Sequence, residues 1–364
     1  MSQKYLLVTL EYPPFYGGIA HYYSYLVKNF PEPITVLDNS QQQLMDNQSW
    51  PVKWRPALLT IWRAIKQGQI NYVLVGHLWP LGFVTWLIAK LLPIKYCLFL
   101  HGDDFNYTMC QPRKVKLALK VIHQAHKIIC ANSYTAEKVK KVIDQKQLGK
   151  IKVVNPGVGQ RPAYDELAVK RIQENYNLVG QTVLFSVCRL VERKGLDLVI
   201  DCLPELIKLV PNLVYYIAGT GPDENYLQDK VASLPVTVRK RVHFLGKISE
   251  ETKWQWLDIC QIFVMPARNI GNDIEGFGIV YLEANLAGKP VIAGRSGGVT
   301  DAVEDNVNGL VINGENKQKL ITAVAKLSNY QGLAQRLGDQ GRQRVRQQFN
   351  WANQAQKIYQ IINN

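Results

Sequence analysis

The chain alternates short apolar runs with helix-like stretches, and it does so twice. In the first half, Tyr5–Leu10, Ile34–Leu37, Tyr72–Val75, Tyr96–Leu100, Lys127–Ala131 and Ile151–Val154 read as strands. Helical patterns fill the gaps, among them Gly18–Asn29, Arg113–Ala125 and Thr135–Ile143. Short continuous apolar strands joined through helices predict a parallel sheet covered on both faces. That is the doubly wound α/β class. The pattern breaks at Asn155-Pro156-Gly157-Val158-Gly159-Gln160-Arg161-Pro162, which has no periodicity and reads as a linker. A second series follows, with strands at Val183–Val187, Leu213–Ala218, Val242–Phe244, Ile262–Met265, Val291–Ala293 and Leu310–Ile312. Its helices are Leu196–Leu209, Glu250–Asp258, Ile279–Ala287 and Lys317–Leu327, and the Gln- and Arg-rich end reads as helical throughout. The expected division is a Rossmann-like domain over 1–160 and a second over 161–345. The C-terminal helix, at about 346–364, is free to return to the first. Two such domains facing a central cleft bind ligands beyond the carboxyl ends of their strands.

At 47% hydrophobic, 364 residues can bury a core in each half, which excludes a disordered chain. None of the six cysteines, Cys97, Cys110, Cys130, Cys188, Cys202 and Cys260, forms a C-x-x-C pair. They read as reduced, packed thiols of a cytoplasmic protein, not as a disulfide framework or zinc site. Met1-Ser2-Gln3-Lys4 runs straight into a strand without a signal-peptide pattern. The longest apolar stretch, Leu78 to Leu92, is too short for a span of roughly 20 residues and contains Pro80 and Lys90. It reads as a buried helix.

The net charge of +14 is unevenly placed. Residues 1–160 hold 19 Lys and Arg against 8 Asp and Glu, and the remainder 24 against 21. Arg113 to Lys152 alone carries 11 basic residues against Glu137 and Asp144. A patch of one sign favours an anionic partner: a phospholipid surface, a phosphorylated acceptor or nucleic acid. Solvated helix faces would give the same count. Arg113, Lys116, Lys120 and Lys127 fall at i, i+3, i+7 and i+14, on one broad helical face. Lys138, Lys140, Lys141, Lys146, Lys150 and Lys152 follow in the next helix–strand unit. No aromatic-rich binding motif accompanies the block, which counts against nucleic acid.

The residues suited to chemistry follow strands. Glu275-Gly276-Phe277-Gly278 leads into a helix that carries Glu283. The glycines let main-chain N–H groups approach a ligand, and a helix N-terminus suits a diphosphate. Ionised carboxylates accept hydrogen bonds from sugar and ribose hydroxyls. N-terminal capping explains one acid, but not glycines on both sides of Phe277. Arg189 and Lys194, in Arg189-Leu190-Val191-Glu192-Arg193-Lys194-Gly195, suit phosphate oxygens. Gly219 in Ala218-Gly219-Thr220-Gly221-Pro222 fits a loop shaped for a ligand or an ordinary tight turn, with a helix opening at Pro222. In the first half, Tyr12-Pro13-Pro14-Phe15-Tyr16-Gly17-Gly18 ends at a helix mouth that can face a phosphate. His101-Gly102-Asp103-Asp104 follows a buried strand, which points His101 into the cleft. A metal held by His101 and Asp103 lacks further ligands at recognisable spacing.

Taken in order, these motifs resemble glycosyltransferase family 4, the retaining, metal-independent enzymes of the GT-B fold. The resemblance covers nearly the whole chain: Gly17-Gly18, His101-Gly102-Asp103, Arg189 with Lys194-Gly195, and Glu275 with Glu283. The stretches Met265-Pro266-Ala267-Arg268 and Gly288-Lys289-Pro290-Val291 bring it nearest the phosphatidylinositol mannosyltransferase-like branch, which uses GDP-mannose. The resemblance implies an acceptor-binding first domain and a donor-binding second one. Arg189 and Lys194 would hold the donor diphosphate and stabilise the leaving nucleotide. Glu283 would bind the ribose, and Glu275 with Gly276 to Gly278 the transferred sugar. His101 would reach that sugar from the first domain, and Gly18 would approach the phosphate. Phe277 and Gly219 join the donor site, and Gly17 and Asp103 the acceptor side. No cofactor or metal is implied, because front-side attack by the acceptor hydroxyl asks for positioning and charge stabilisation. The expected reaction moves a hexose from GDP-mannose, or next UDP-glucose, to a lipid-linked or anionic acceptor. The basic domain would then lie on the inner face of the membrane. A nucleotide-sugar epimerase and a basic nucleic-acid-binding protein are the alternatives. The valine of the linker is followed by Gly159 where the family commonly has an acid.

Overall fold

The computed structural model describes residues 3–15, 17–46 and 53–364, so Met1, Ser2 and Tyr16 of the segments above lie outside the described residues. The chain divides into two compact units, residues 1–159 with 349–364, and residues 160–348.

The first unit holds β1 (Tyr5–Val8), β2 (Ile34–Leu37), β3 (Tyr72–Val75), β4 (Lys95–Leu100), β5 (Lys127–Cys130) and β6 (Ile151–Val153). All pair in parallel, in the order β2-β1-β3-β4-β5-β6. β1 stops at Val8 rather than Leu10. There the Thr9 hydroxyl takes over, accepting from Glu11 N at 3.2 Å and ending the extended run. Alternate side chains enter two cores, as a strand's period of two requires. Leu6, Val8, Val73, Val75 and Leu98 meet the helices Arg55–Gly68, Phe83–Ala89 and Pro112–Gln124. Tyr5, Leu7, Leu74, Cys97 and Phe99 meet Gly18–Asn29 and the last helix, Trp351–Asn363.

That last helix is separate from Gln331–Gln348, so the C-terminal end is not one helix. The break falls at Phe349-Asn350, where the Asn350 side chain accepts from Asn353 N at 2.8 Å and starts a new helix. Trp351 stacks on Tyr25 at 5.9 Å and leaves no room for a Cβ at Gly157. Leu78–Leu92 is not one buried helix either. A π turn at Leu78–Gly82 precedes the helix Phe83–Ala89, and Leu91 is 74% exposed. Pro80 disfavours helical geometry in the residue before it, and Trp79 is extended at φ −130°, ψ 133°. Lys127 opens β5, beyond the helix that ends at Gln124. Only Arg113, Lys116 and Lys120 therefore share that exposed helical face. Of the cysteines, Cys110 is exposed rather than packed.

The second unit holds β7 (Thr182–Val187), β8 (Leu213–Ala218), β9 (Val242–Gly246), β10 (Ile262–Met265), β11 (Val291–Gly294) and β12 (Gly309–Ile312). These also pair in parallel, in the order β12-β11-β10-β7-β8-β9. This is the Rossmann order, whereas the first sheet has the flavodoxin-like one. From β7 the chain winds outward through β8 and β9, then crosses back to β10 on the other side. Loops after β7 and β10 therefore diverge onto opposite faces and leave a crevice, the usual ligand position in such sheets. Among the described residues no helix is long and apolar enough to cross a membrane.

Candidate active site

The crevice of the second unit is built by glycines that let loops touch. After β7 the chain makes a single turn, Glu192–Lys194, and Gly195 enters the next helix at φ +72°. A Cβ on Gly195 would stand 2.2 Å from the Pro266 carbonyl oxygen, so only glycine lets the β7 loop lie against the β10 loop. The contact brings Lys194 and Arg193 onto Glu275. Lys194 Nζ and Arg193 Nη1 each lie 2.5 Å from the same oxygen, Glu275 Oε2. Arg193 Nε reaches Asp273 at 2.9 Å. Glu275 N donates to Ser296 Oγ, which in turn donates to Asn269 Oδ1. Glu275 is 6% exposed. Burial by itself would raise its pKa, but the Lys194 and Arg193 charges overcome this and hold it below the usual carboxylate value. The carboxylate is thus ionised and oriented. With both cations on Oε2, Oε1 is left to accept from a ligand hydroxyl.

Gly278 caps the helix Ile279–Leu286 at φ +78°, where a Cβ would meet the Tyr281 ring at 2.5 Å. The first turn of this helix carries no acid. Glu283 lies a turn further in and accepts from Lys253 Nζ at 2.7 Å, while Lys253 also meets Glu250 at 2.8 Å. The two glutamates therefore have different partners, and the structure places them in separate ion clusters. The Phe277 side chain is buried, so only its main chain can face a ligand. Gly219, at φ +117°, is required by the chain itself: a Cβ there would collide with the Cys188 carbonyl oxygen at 1.9 Å. That packing sets the β8 loop against the Arg189 loop. Arg189 is exposed and has no partner among the described residues.

In the first unit, Gly17 caps the helix Gly18–Asn29, and a Cβ on Gly18 would meet nothing within 4 Å. His101 is not open as expected. It is half-buried, edge-on to Tyr22 and Tyr23 at 4.8 and 5.4 Å. Burial, and then His77, push its pKa down to about 3, so the ring is neutral. Tyr23 gives its one proton to the Gly76 carbonyl at 2.9 Å. His101 Nε2, 2.8 Å from the Tyr23 oxygen, must then be the donor, which leaves Nδ1 to accept from a hydroxyl. Asp103 is exposed, whereas Asp104 turns inward and accepts from the main-chain nitrogens of His101 and Leu78 at 3.3 Å. Among the described residues, no group of three or more His, Cys, Asp or Glu is arranged to hold a metal ion.

Sequence reasoning passed over Arg193, which stands beside the chosen Lys194. It also passed over Lys253, which nothing near Glu283 in the sequence announces. Comparison with known proteins agrees with this architecture. Residues 169–344 match the family Glycosyl transferases group 1. The chain is 28% identical over 377 residues to a GDP-mannose-dependent alpha-(1-6)-phosphatidylinositol monomannoside mannosyltransferase of Mycolicibacterium smegmatis, covering 98% of this chain and 97% of that protein. Anabaena HepE, solved in complex with UDP, superposes with a TM-score of 0.78 at 17% identity, over 99% of this chain and all of the other. Sucrose-phosphate synthase from Thermosynechococcus elongatus gives 0.77 at 18% identity, over all of this chain and 98% of the other. The fold is GT-B. Residues 169–344 thus resemble a Glycosyl transferases group 1 domain, and the chain as a whole is similar to the phosphatidylinositol mannosyltransferases, which supports a glycosyltransferase over the epimerase.

Proposed function

We propose that this chain transfers a hexosyl group, mannosyl before glucosyl, from a nucleoside-diphosphate sugar to a hydroxyl of a lipid-linked or anionic acceptor. Configuration is retained and no metal ion takes part. The observation that carries the reading is the ionised Glu275, held by Lys194 and Arg193 in the β7–β10 crevice. A glycine-capped helix N-terminus without acids follows it. Arg189 and Lys194 bind the diphosphate and stabilise charge developing on the leaving nucleotide. Glu275 Oε1 and the Gly276 to Gly278 main chain hold the sugar, and Glu283 holds the ribose. His101 Nδ1 accepts from a sugar hydroxyl, and Gly17, Gly18 and Asp103 serve the acceptor side. Relatives whose donor is GDP-mannose support mannose over glucose. The test is radiolabelled transfer from GDP-mannose and UDP-glucose into a lipid extract, with and without a chelator. Transfer from GDP-mannose that survives the chelator is expected. Loss in EDTA, restored by magnesium or manganese, removes the metal-free reading.

Glu283→Ala is expected to weaken nucleoside-diphosphate binding while sparing the geometry around Glu275, because Glu283 contacts Lys253 and not the Lys194 cluster. Calorimetry with GDP should show the loss in this variant. Equal losses in Glu283→Ala and Glu275→Gln would end this division of roles.

A lipid acceptor requires the enzyme to meet a membrane surface. The helix Arg55–Gly68 presents Leu59, 60% exposed, and Leu58 beside Arg55, Arg63 and Lys66, and it contains no acid. Apolar side chains among cations describe an interfacial helix. Arg113, Lys116 and Lys120 add charge on a second exposed face. Each basic group near an anionic bilayer contributes about 1 kcal/mol, screened by salt. The protein is expected to sediment with anionic vesicles at low salt. Leu58→Glu with Leu59→Glu should remove most of that binding. Equal binding to neutral and anionic vesicles contradicts this surface.

A further inference from the structure

The end of the first sheet opposite His101 carries a cavity that the proposed transfer does not use. It has a volume of about 290 Å³ and is lined by Ala89, Ile94, Lys95, Tyr96, Gln124 and His126. Lys95 is the first residue of β4 and His126 immediately precedes β5, whereas His101 follows β4 at its carboxyl end.

Hydrogen-bond accounting gives this lining a sign. Gln124 Oε1 accepts from Trp86 Nε1 at 2.6 Å, so the amide nitrogen is the group left over. Tyr72 OH lies 2.8 Å from His126 Nδ1, and the buried phenol has no other partner for its proton among the described residues. Donation to Nδ1 puts the imidazole proton on Nε2. Lys95 Nζ is a third donor. Lys95 Nζ, the Gln124 amide nitrogen and His126 Nε2 have no partners among the described residues. Beyond the lining, Lys127 opens β5 and Lys150 precedes β6, so a lysine stands at or just before the start of each of three adjacent parallel strands. Burial, then Lys95, Lys127 and Lys150, hold the His126 pKa below its ordinary value. The feature of opposite sign is the carboxyl end of the helix Pro112–Gln124. Lys150 meets it, with Nζ donating to the His123 carbonyl at 2.5 Å. The acid Asp144 lies 3.6 Å from His123 Nδ1 and is not part of the lining.

We propose that this cavity is a phosphate-binding site, taking a phosphate monoester through Lys95, the Gln124 amide and His126 Nε2, with Ala89 and Ile94 against the ester's carbon chain. It is separate from the transfer site, at the other end of the strands. The same chemistry is offered by a soluble phosphate ester and by the headgroup of an anionic lipid.

The test follows the histidine ring resonances of the full-length protein while inorganic phosphate or glycerol 3-phosphate is added at constant ionic strength. The same protein is sedimented with phosphatidylcholine vesicles with and without phosphatidic acid. The variant is Gln124→Glu, which keeps the acceptor for Trp86 and replaces the donor amide with a repelling carboxylate. The His126 resonance should move saturably with its pKa rising, while His243, in the other unit, stays still. The variant should bind at least about tenfold more weakly. A response to soluble ester identifies a small-molecule site. A Gln124-dependent response to phosphatidic acid alone identifies the lipid headgroup. No movement of His126 with phosphate together with equal vesicle binding by the two proteins overturns the proposal, as does an equal shift of His126 in Gln124→Glu.

Discussion

Glu275→Gln is expected to abolish measurable transfer and to lower the melting temperature. The substitution keeps the size of the side chain but leaves Lys194 and Arg193 without their shared anion in a site that is largely closed to water. Breaking a buried pair by removing one partner typically costs about 3–5 kcal/mol, much of it from the charge left behind. The loss of activity has a separate origin: the glutamine cannot present the same oriented carboxylate oxygen to a sugar hydroxyl. Activity and thermal unfolding on one preparation separate the two effects, since the Glu275→Gln variant must still be inactive while folded below its melting temperature. Wild-type turnover from that variant would remove Glu275 from the site.

Arg189→Ala and Lys194→Ala should each slow transfer by roughly 10²–10³, the effect of removing one preorganised donor from a charged transition state, about 2.7–4 kcal/mol. They should differ in stability. Arg189 is exposed and unpartnered among the described residues, so its loss should leave the melting temperature unchanged. Lys194 is 8% exposed and shares Glu275 with Arg193, so its loss should destabilise the second unit as well. Single-turnover rates together with melting curves check both statements. An Arg189→Ala enzyme with wild-type rates would show that its exposure has no functional meaning.

The strands were legible because each is an apolar run with abrupt ends. Leu213–Ala218 and Ile262–Met265 begin and end where the sequence pattern places them. Helix and loop irregularities were less so. Pro80 splits Leu78–Leu92 through its effect on Trp79, which hydrophobicity does not reveal. The residue types of the site could be read from the glycine-bounded Glu275 loop and the cations after β7. Their partnership could not, because it depends on β10 crossing back to lie beside β7. Strand order is set by how the whole sheet is wound, and no local signal carries it. The same holds for Lys253, brought to Glu283 from a helix 30 positions earlier. Gly219 illustrates the converse. Its place after a strand suggested room for a ligand, while the first demand on it is room for the Cys188 carbonyl.

The most direct test of the whole account is the melting curve of the protein against a panel of nucleotide sugars and free nucleotides. A donor that binds only the folded state stabilises it by about 2.7 kcal/mol at one hundred times its Kd. The account predicts that GDP-mannose, and less strongly UDP-glucose, raises the melting temperature of the wild-type protein in buffer containing EDTA. It also predicts that Arg189→Ala shows a reduced shift despite an unchanged unliganded melting point. A panel in which no nucleotide sugar moves the wild-type transition, or in which Arg189→Ala responds as fully as wild type, contradicts the donor site described for the second unit.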